Sequence, residues 1–404
     1  MSPPSLTPVE HPGLARQKLR IAVLNRTFSS TGGGAERYSI ALVEQLSAMH
    51  EVHVFAQEID HQWPGVTYHR VSAPLRKPRW INQLWFATTT WWATRRGFDV
   101  VHSHENTWHG DVQTVHVLPV KYNLLHEING WRLLLRWIKI VTSPRLLTYL
   151  ALERLRYADR PGRQVVVTSD SLQAILAASY PACKEMVSVI TPGIMMPAQP
   201  VTPALKREAR ALLGLPAEAR CLLFAGNDYR KKGLHALLEA MAQLPADVVL
   251  AVVGNPAHIP AFRAQAEALK LGVRVFFVGS LKDVGPAYTA ADCLVHPTLE
   301  DTFAMVVLEA MAYGLPVVVS GPRYCGIAGL LQDGINAMIL EDPRDASNLA
   351  QVIQQVLGEP ALQDHLRQGA TEFARHYQWR EIALQQEALY FAALAGSKAA
   401  GSAP

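Results

Sequence analysis

Short, unbroken apolar runs recur along the chain, each followed by a polar or glycine-rich turn and then an amphipathic stretch. The first run is Arg20–Asn25; the turn Thr31-Gly32-Gly33-Gly34, the helical pattern Ala35–Leu46 and a second run, Glu51–Ala56, follow it. Strand, glycine turn, helix and strand make a βαβ unit, the building block of a parallel sheet. Asp99–Ser103, Val112–His116 and Gln164–Thr168 extend the same sheet. A Pro/Ala-rich stretch, Pro192–Pro203, interrupts the pattern and reads as a hinge. The pattern then restarts with the strand Arg220–Gly226, the helix Leu234–Leu244 and the strands Val248–Gly254, Val273–Gly279, Cys293–His296 and Pro316–Ser320. Runs that stay apolar instead of alternating belong to strands covered on both faces. The prediction is an α/β protein with two tandem Rossmann-like doubly wound domains, residues 19–195 and 204–375, facing a central cleft.

Composition narrows the class. A chain of 404 residues suits two domains, and 49% apolar with 18% charged residues rules out wholesale disorder. Cys183, Cys221, Cys293 and Cys325 are scattered, without a CxxC pair or zinc-like spacing, which points to core thiols in a reducing compartment. No run of about 18 uncharged apolar residues occurs, so no spanning helix is expected. Residues 1–18 hold four prolines and no apolar signal core, and read as a disordered lead-in. The expected location is the cytosol. Charge is uneven: up to Met195 there are 21 Lys and Arg against 14 Asp and Glu, and after it 17 against 20. A basic first half suggests an anionic partner, whether phosphorylated glycan, membrane surface or nucleic acid.

Three segments carry candidate chemistry. Gly33 and Gly34 precede a helix, so backbone N–H groups and the positive dipole end face the space above the sheet. The spacing is not G-x-G-x-x-G, and Phe55-Ala56-Gln57 stands where a dinucleotide site wants an acid. A plain βα turn explains this segment equally well. The turn Gly226–Gly233 carries Arg230, Lys231 and Lys232 beside a helix N-terminus, an unfavourable arrangement with the dipole unless an anion such as a diphosphate sits there. Asp301 and Glu309 stand eight apart, Asp301 in a loop and Glu309 in a helix expected to start near Phe303. Thr302 and Ala304 between them are small enough to offer N–H groups to a phosphate. On spacing alone two such acids are commonplace.

The combination resembles a family. Asp301 with Glu309-Ala-Met-Ala-Tyr-Gly-Leu-Pro-Val317 is similar to the E-x7-E element of the retaining glycosyltransferases of the GT-B fold, family 4, with Asp replacing the usual first Glu. Gly33-Gly34, His116, Thr191-Pro-Gly-Ile194, Lys232-Gly233, Ala291-Asp292 and the Trp379 region extend the resemblance over nearly the whole chain, and within the family it runs to the lipopolysaccharide-core glucosyltransferases. Asn227 stands where the basic loop of the family usually has arginine. The resemblance implies that Glu309 holds the ribose and Asp301 the hydroxyls of the donor sugar, with the Thr302, Phe303 and Ala304 amides near the phosphates. Lys232, helped by Lys231 or Arg230, would neutralise the leaving diphosphate. Gly33 and Gly34 would close over the donor, and His116 would contact the transferred sugar. A helix at 376–395 would return to the first domain, ahead of a disordered tail at 396–404. The donor implied is a nucleotide sugar, a UDP-hexose such as UDP-glucose, and the acceptor a lipid-borne, phosphorylated core glycan. No cofactor is expected, and with no D-x-D in the chain no metal is expected either.

Remaining features support a site at a bilayer. Aromatics at helical spacing run through Arg79–Trp92, where an amphipathic core helix is an equal reading. Trp131–Val141 mixes Trp and Leu with Arg132, Arg136 and Lys139, which suits the inner leaflet of the cytoplasmic membrane or a phospho-glycan. His102 and His104 read first as cleft-lining polar residues, because no third metal ligand is spaced plausibly, and His109 and Asp111 as structural before acceptor-lining. Two alternatives remain. A nucleotide-sugar 2-epimerase shares the fold, but its signature acids and histidines are not evident. A nucleic-acid binder would interleave its aromatics with cations on strands, which this chain does not do.

Overall fold

The computed structural model describes residues 17–29, 33–75, 77–126 and 128–401. Residues 1–16 of the expected lead-in, with Thr31 and Gly32 of the first glycine turn, lie outside them. The strands run in chain order as β1 (Arg20–Leu24), β2 (Thr27–Phe28), β3 (Glu51–Ala56), β4 (Glu58–Ile59), β5 (Val66–Arg70), β6 (Val100–Ser103), β7 (Val112–Val115), β8 (Gln164–Val167) and β9 (Val187–Val189). After the hinge come β10 (Arg220–Ala225), β11 (Val248–Val253), β12 (Val275–Gly279), β13 (Cys293–His296), β14 (Val317–Ser320) and β15 (Met338–Leu340). Two open sheets result, ordered β5-β3-β1-β6-β7-β8-β9 and β12-β11-β10-β13-β14-β15, with β2 and β4 forming a small separate ribbon. Every pairing is parallel.

The continuous apolar runs land where both faces are covered. All six residues of β11 are buried, as are all four of β13 and β14. Each sheet is sandwiched between helices, and the second carries a separate apolar cluster on either face. The four cysteines are buried and unpaired. Among the described residues no helix is long and apolar enough to cross a membrane. In both sheets the strand order reverses beside the first strand of the domain, at β1–β6 and β10–β13. Such a reversal leaves a crevice at the carboxyl ends of the strands.

The last helix, Trp379–Gly401, continues past 395, where the sequence reading placed a disordered tail from 396. Its Ala-rich end (Ser-Lys-Ala-Ala after Gly396) favours helix intrinsically. Trp379, Ile382, Ala383, Tyr390 and Ala393 pack into the core beneath the first sheet, so the helix belongs to the first domain although it follows the second in sequence. The Arg79–Thr94 helix buries Asn82, Gln83, Phe86, Thr90 and Thr94 and turns Trp85, Trp91 and Trp92 outward, so its tryptophans are not core residues.

Candidate active site

A cleft of about 560 Å³ opens between the two sheets at their carboxyl ends, lined from the first domain by Gly33, Gly34, Arg37 and His116 and from the second by Lys231, Lys232 and 300–306. Its second-domain wall is shaped by Gly233, which caps the helix Leu234–Met241 at φ 80°. A Cβ there would lie 1.9 Å from the Pro297 carbonyl oxygen, so only glycine lets the basic turn settle against the end of β13.

That turn delivers Lys232 to Asp301. The Lys232 Nζ donates to the Asp301 carboxylate at 2.6 Å and to the Glu300 carbonyl at 3.0 Å, while Lys231 Nζ meets the Glu300 carboxylate at 2.7 Å nearer solvent. Arg230 is exposed and is not part of the cleft wall, so the two lysines alone of the three predicted cations stand there. Asp301 also accepts from His296 Nε2 at 3.2 Å, and its other oxygen accepts the N–H groups of Ala304 (2.9 Å) and Phe303 (3.3 Å). Burial by itself would raise the Asp301 carboxyl; the hydrogen bond from His296 and the charge of Lys232 outweigh it and hold the group well below the usual carboxylate range. Burial pushes His296 down in turn. As a neutral ring it donates through Nε2, and its buried Nδ1 has no partner among the described residues.

Two expectations about this loop are corrected. The Phe303 and Ala304 amides are taken by the Asp301 side chain and do not face the open cleft. The helix begins at Met305, not Phe303, because Ala304 adopts a left-handed conformation, φ 71°, as the chain leaves the Asp301 cap. The free N–H groups of that helix therefore lie one step further on, at Met305 and Val306, both of which line the cleft. Phe303 is buried in the core of the second domain.

Glu309 is also differently engaged. One oxygen meets Arg37 Nη1 at 2.9 Å across the cleft and the other accepts from Tyr288 at 2.5 Å. Nothing in the sequence pairs Arg37 with Glu309, although Arg37 sits one turn into the helix that the glycine turn opens. Thr302 ties the domains further, its hydroxyl donating to the His116 carbonyl at 2.9 Å and its backbone carbonyl accepting from the Ser169 hydroxyl at 2.7 Å. Its side chain serves as a strut between domains. Gly34 faces Met305 Sδ, 3.6 Å from where a Cβ would stand.

His116 lines the cleft at the end of β7 with its ring edge against Tyr38, centroids 5.0 Å apart. Its Nε2 meets His104 Nδ1 at 2.9 Å, while His102 bonds Tyr390 and Thr114 at 2.7 Å each. His102, buried, and His104, partly buried, thus support His116 from behind and do not line the cleft. Burial first, then Arg156, pushes His116 down to about 3, so it is neutral near pH 7. Among the described residues no group of three or more His, Cys, Asp or Glu is arranged to hold a metal ion. Arg132, Arg136 and Lys139 are remote from this cleft, on the helix Trp131–Val141, of which only Ile140 is buried.

Comparison with known proteins agrees with this geometry. The family described as glycosyl transferases group 1 matches residues 206–373, and that described as glycosyltransferase family 4 matches residues 32–195. The D-inositol 3-phosphate glycosyltransferase of Thermobispora bispora is 30% identical over 335 residues, 74% of this chain and 71% of that one. A D-inositol 3-phosphate glycosyltransferase of Catenulispora acidiphila is 32% identical over 257 residues, 60% of this chain. The lipopolysaccharide glucosyltransferase WaaG of Escherichia coli K12 is 30% identical over 243 residues, 58% of this chain. The matches span 59% and 63% of these last two proteins, less than two thirds of either. The crystal structure of WaaG superposes with a TM-score of 0.77 at 22% identity, over 91% of this chain and 98% of that one. Anabaena HepE in complex with UDP and glucose gives 0.72 at 18% identity, over 91% and 98%. Two parallel-sheet domains, a basic turn and an acid loop meeting over one cleft, and these matches lead to one conclusion: the chain belongs to the family 4 glycosyltransferases of the GT-B fold.

Proposed function

We propose that the chain is a retaining hexosyltransferase, taking a hexose from a UDP-sugar, UDP-glucose first, to a lipopolysaccharide core or related glycolipid at the inner leaflet of the cytoplasmic membrane. The observation that carries this reading is the convergence of Lys231, Lys232 and Asp301 beside the open N-terminus of the Met305–Ala312 helix. Two cations and unpaired N–H groups suit a diphosphate, and a partly buried carboxylate beside them suits the hydroxyls of the attached sugar. The UDP and glucose bound by HepE support the donor, and the lipopolysaccharide glucosyltransferase WaaG supports the acceptor.

In this reading the donor ribose competes with Arg37 for Glu309, and Lys232 neutralises the β-phosphate as the bond from C1 to the phosphate oxygen breaks. The acceptor hydroxyl bonds to C1 on that same face, and its proton passes to the departing phosphate oxygen, so configuration is retained. Neutral His116 contacts the transferred sugar. The lysines supply the charge that a divalent cation would otherwise provide. UDP should raise the melting temperature more than GDP or ADP, and UDP-glucose should release UDP when a truncated core glycolipid is present. If no nucleotide sugar stabilises the protein, the reading fails. Transfer to inositol 3-phosphate but not to the glycolipid would replace the acceptor. Activity abolished by EDTA and restored by Mn²⁺ would overturn metal independence.

The acceptor side is supported by the helix Trp131–Val141, where Trp131 and Leu134 are 68% and 63% exposed and Leu135, Trp137, Ile138 and Val141 extend the apolar face beside Arg132, Arg136 and Lys139. An apolar face this open with cations beside it suits the surface of an anionic bilayer. Sedimentation with anionic but not neutral liposomes is expected, and Arg132→Glu, Arg136→Glu and Lys139→Glu together should abolish it; equal binding by the triple variant would refute the contact.

A further inference from the structure

A second cavity, about 430 Å³, lies at the opposite end of the first sheet, where β6, β7 and β8 begin. Asp99–Val101, Gly110–Asp111 and Arg160–Arg163 form its floor, and the final turns of the last helix, at Ala393, Leu394 and Ser397, close one side. It shares no residue with the active-site cleft. His109 and Asp111, weighed in sequence as acceptor-lining, stand here instead.

The walls carry more positive charge than their partners balance. Arg95, Arg160 and Arg163 line the cavity. Arg163 is 4% exposed, yet its guanidinium donates only to neutral carbonyls, those of Leu155 (2.8 Å), Arg156 (3.0 Å), Trp108 (3.0 Å) and Ala158 (3.5 Å), and its Nε has no partner among the described residues. Arg95 lies 3.7 Å over the Trp92 ring, and neither it nor Arg160 forms an ion pair among the described residues. The two carboxylates present are engaged by backbone: Asp99 accepts the Arg20 N–H and Asp111 the Val101 N–H. Burial, followed by the neighbouring Arg160, pushes Arg163 down to about 10, and burial with Arg163 and Arg160 pushes His109 to about 4. Burial is the larger cause in both groups; the neighbouring arginine charges add to it, partly offset at Arg163 by Asp111, and an anion among the arginines would relieve that added part.

The neutral His109 adds a second demand. Thr90 donates its hydroxyl proton to the Phe86 carbonyl at 2.6 Å, so His109 Nε2 donates to Thr90, leaving the buried Nδ1 as an acceptor with no partner among the described residues. Trp91 and Phe98 supply an apolar wall between the cations. Cations, an unmet hydroxyl acceptor and flat apolar surface suit a phosphate monoester that carries a sugar ring, and the volume falls within the range of about 300–1,000 Å³ usual for small ligands.

We infer that this cavity is a second binding site, separate from the donor cleft, for a small phosphorylated sugar. Phosphate carried on a free sugar and phosphate carried on a lipid-borne glycan share the chemistry, and the test separates them. Thermal unfolding of the full chain is followed with inorganic phosphate, glucose, glucose 6-phosphate or a phosphorylated glycolipid in detergent, each with saturating UDP filling the donor cleft. Glucose 6-phosphate is expected to raise the midpoint by about 2 °C or more, phosphate alone by less and glucose not at all. A shift with the glycolipid alone that Arg160→Glu and Arg95→Glu remove would assign the site to lipid-borne phosphate, whereas one that survives both belongs to the acceptor side of the main cleft. Arg160→Glu and Arg95→Glu, both surface changes, should remove the shift and keep the response to UDP, whereas Lys232→Ala should keep the shift. No phosphate-dependent shift with any compound, a shift that survives both arginine variants, or one lost with Lys232→Ala would overturn the inference.

Discussion

At Asp301 the charge of the cleft and the path of its backbone depend on one side chain. Its carboxylate neutralises Lys232, receives His296 and caps two amides, so removing it strands a cation and three donors together. Asp301→Ala should cost about 2–3 kcal/mol of stability, less than the roughly 3–5 for a fully buried pair because both side chains keep some contact with solvent. Asp301→Asn keeps the shape and isolates the charge. The native carboxyl titrates below its unfolded value of about 3.9, so the folded state binds fewer protons in acid. Its contribution is therefore complete above about pH 4 and is lost as the pH falls below that, toward the depressed native value. Urea unfolding between pH 2 and 6 should show a shallower acid loss in Asp301→Asn than in the wild type; parallel curves would exclude Asp301 as the source. Arg37 belongs to the same scale. If ribose must displace it from Glu309, Arg37→Met should tighten UDP binding about threefold by calorimetry, a difference the size of a partly exposed ion pair. Asp301 was legible through the family resemblance, because on spacing alone two such acids are commonplace. Arg37, Tyr288 and His296 were not, because their partners lie in other segments and a sequence does not display distance.

At the scale of elements, the turn that presents Asp301 shows where local pattern misleads. Alanine is the best helix former, so Phe303 and Ala304 read as the first helical residues. The Asp301 cap instead holds their amides, and the chain passes through the left-handed region at Ala304 to reach Met305. An L-residue pays strain there that glycine does not. Ala304→Gly should therefore stabilise the protein by about 1 kcal/mol in chemical denaturation, provided the loop remains tied by Thr302; a loss of stability would show that the methyl group packs more than it strains. The central strands were read correctly because burial on both faces leaves an unbroken apolar signature. β5, β9 and β15 give no such signature: all are edge strands, β5 has no fully buried residue, and β9 and β15 are three residues long, so no run marks them.

Across the whole molecule, the single restart of the strand pattern after the Pro/Ala-rich stretch made two domains legible, whereas the bonds between them were not. Those bonds are few and specific: Arg37 to Glu309, Thr302 to His116 and Ser169, and the return of the chain through Trp379. At that return, Ile194 donates to the Tyr377 carbonyl at 2.6 Å and Trp379 donates to the Ile194 carbonyl at 3.3 Å, pairing the hinge with the segment that crosses back. Gly193 makes the crossing possible. A Cβ there would lie 2.7 Å from Trp379 Cδ2 and 2.8 Å from its Cα. Because the second clash is with backbone, no rotamer of Trp379 relieves it, and the start of the last helix must move. Moving it loosens Trp379 from Tyr38, whose rings now meet edge to face at 5.2 Å, and Tyr38 is the residue that backs His116. Gly193→Ala should cost about 2–4 kcal/mol, combining overpacking with strained hydrogen bonds, and should lower turnover even where the protein remains folded. Gly358→Ala, at a helix end with no heavy atom within 4 Å of the added methyl, is the control and should fall within about 0.5 kcal/mol of the wild type. Equal stability and turnover for Gly193→Ala and Gly358→Ala would mean that the crossing does not set the position of His116.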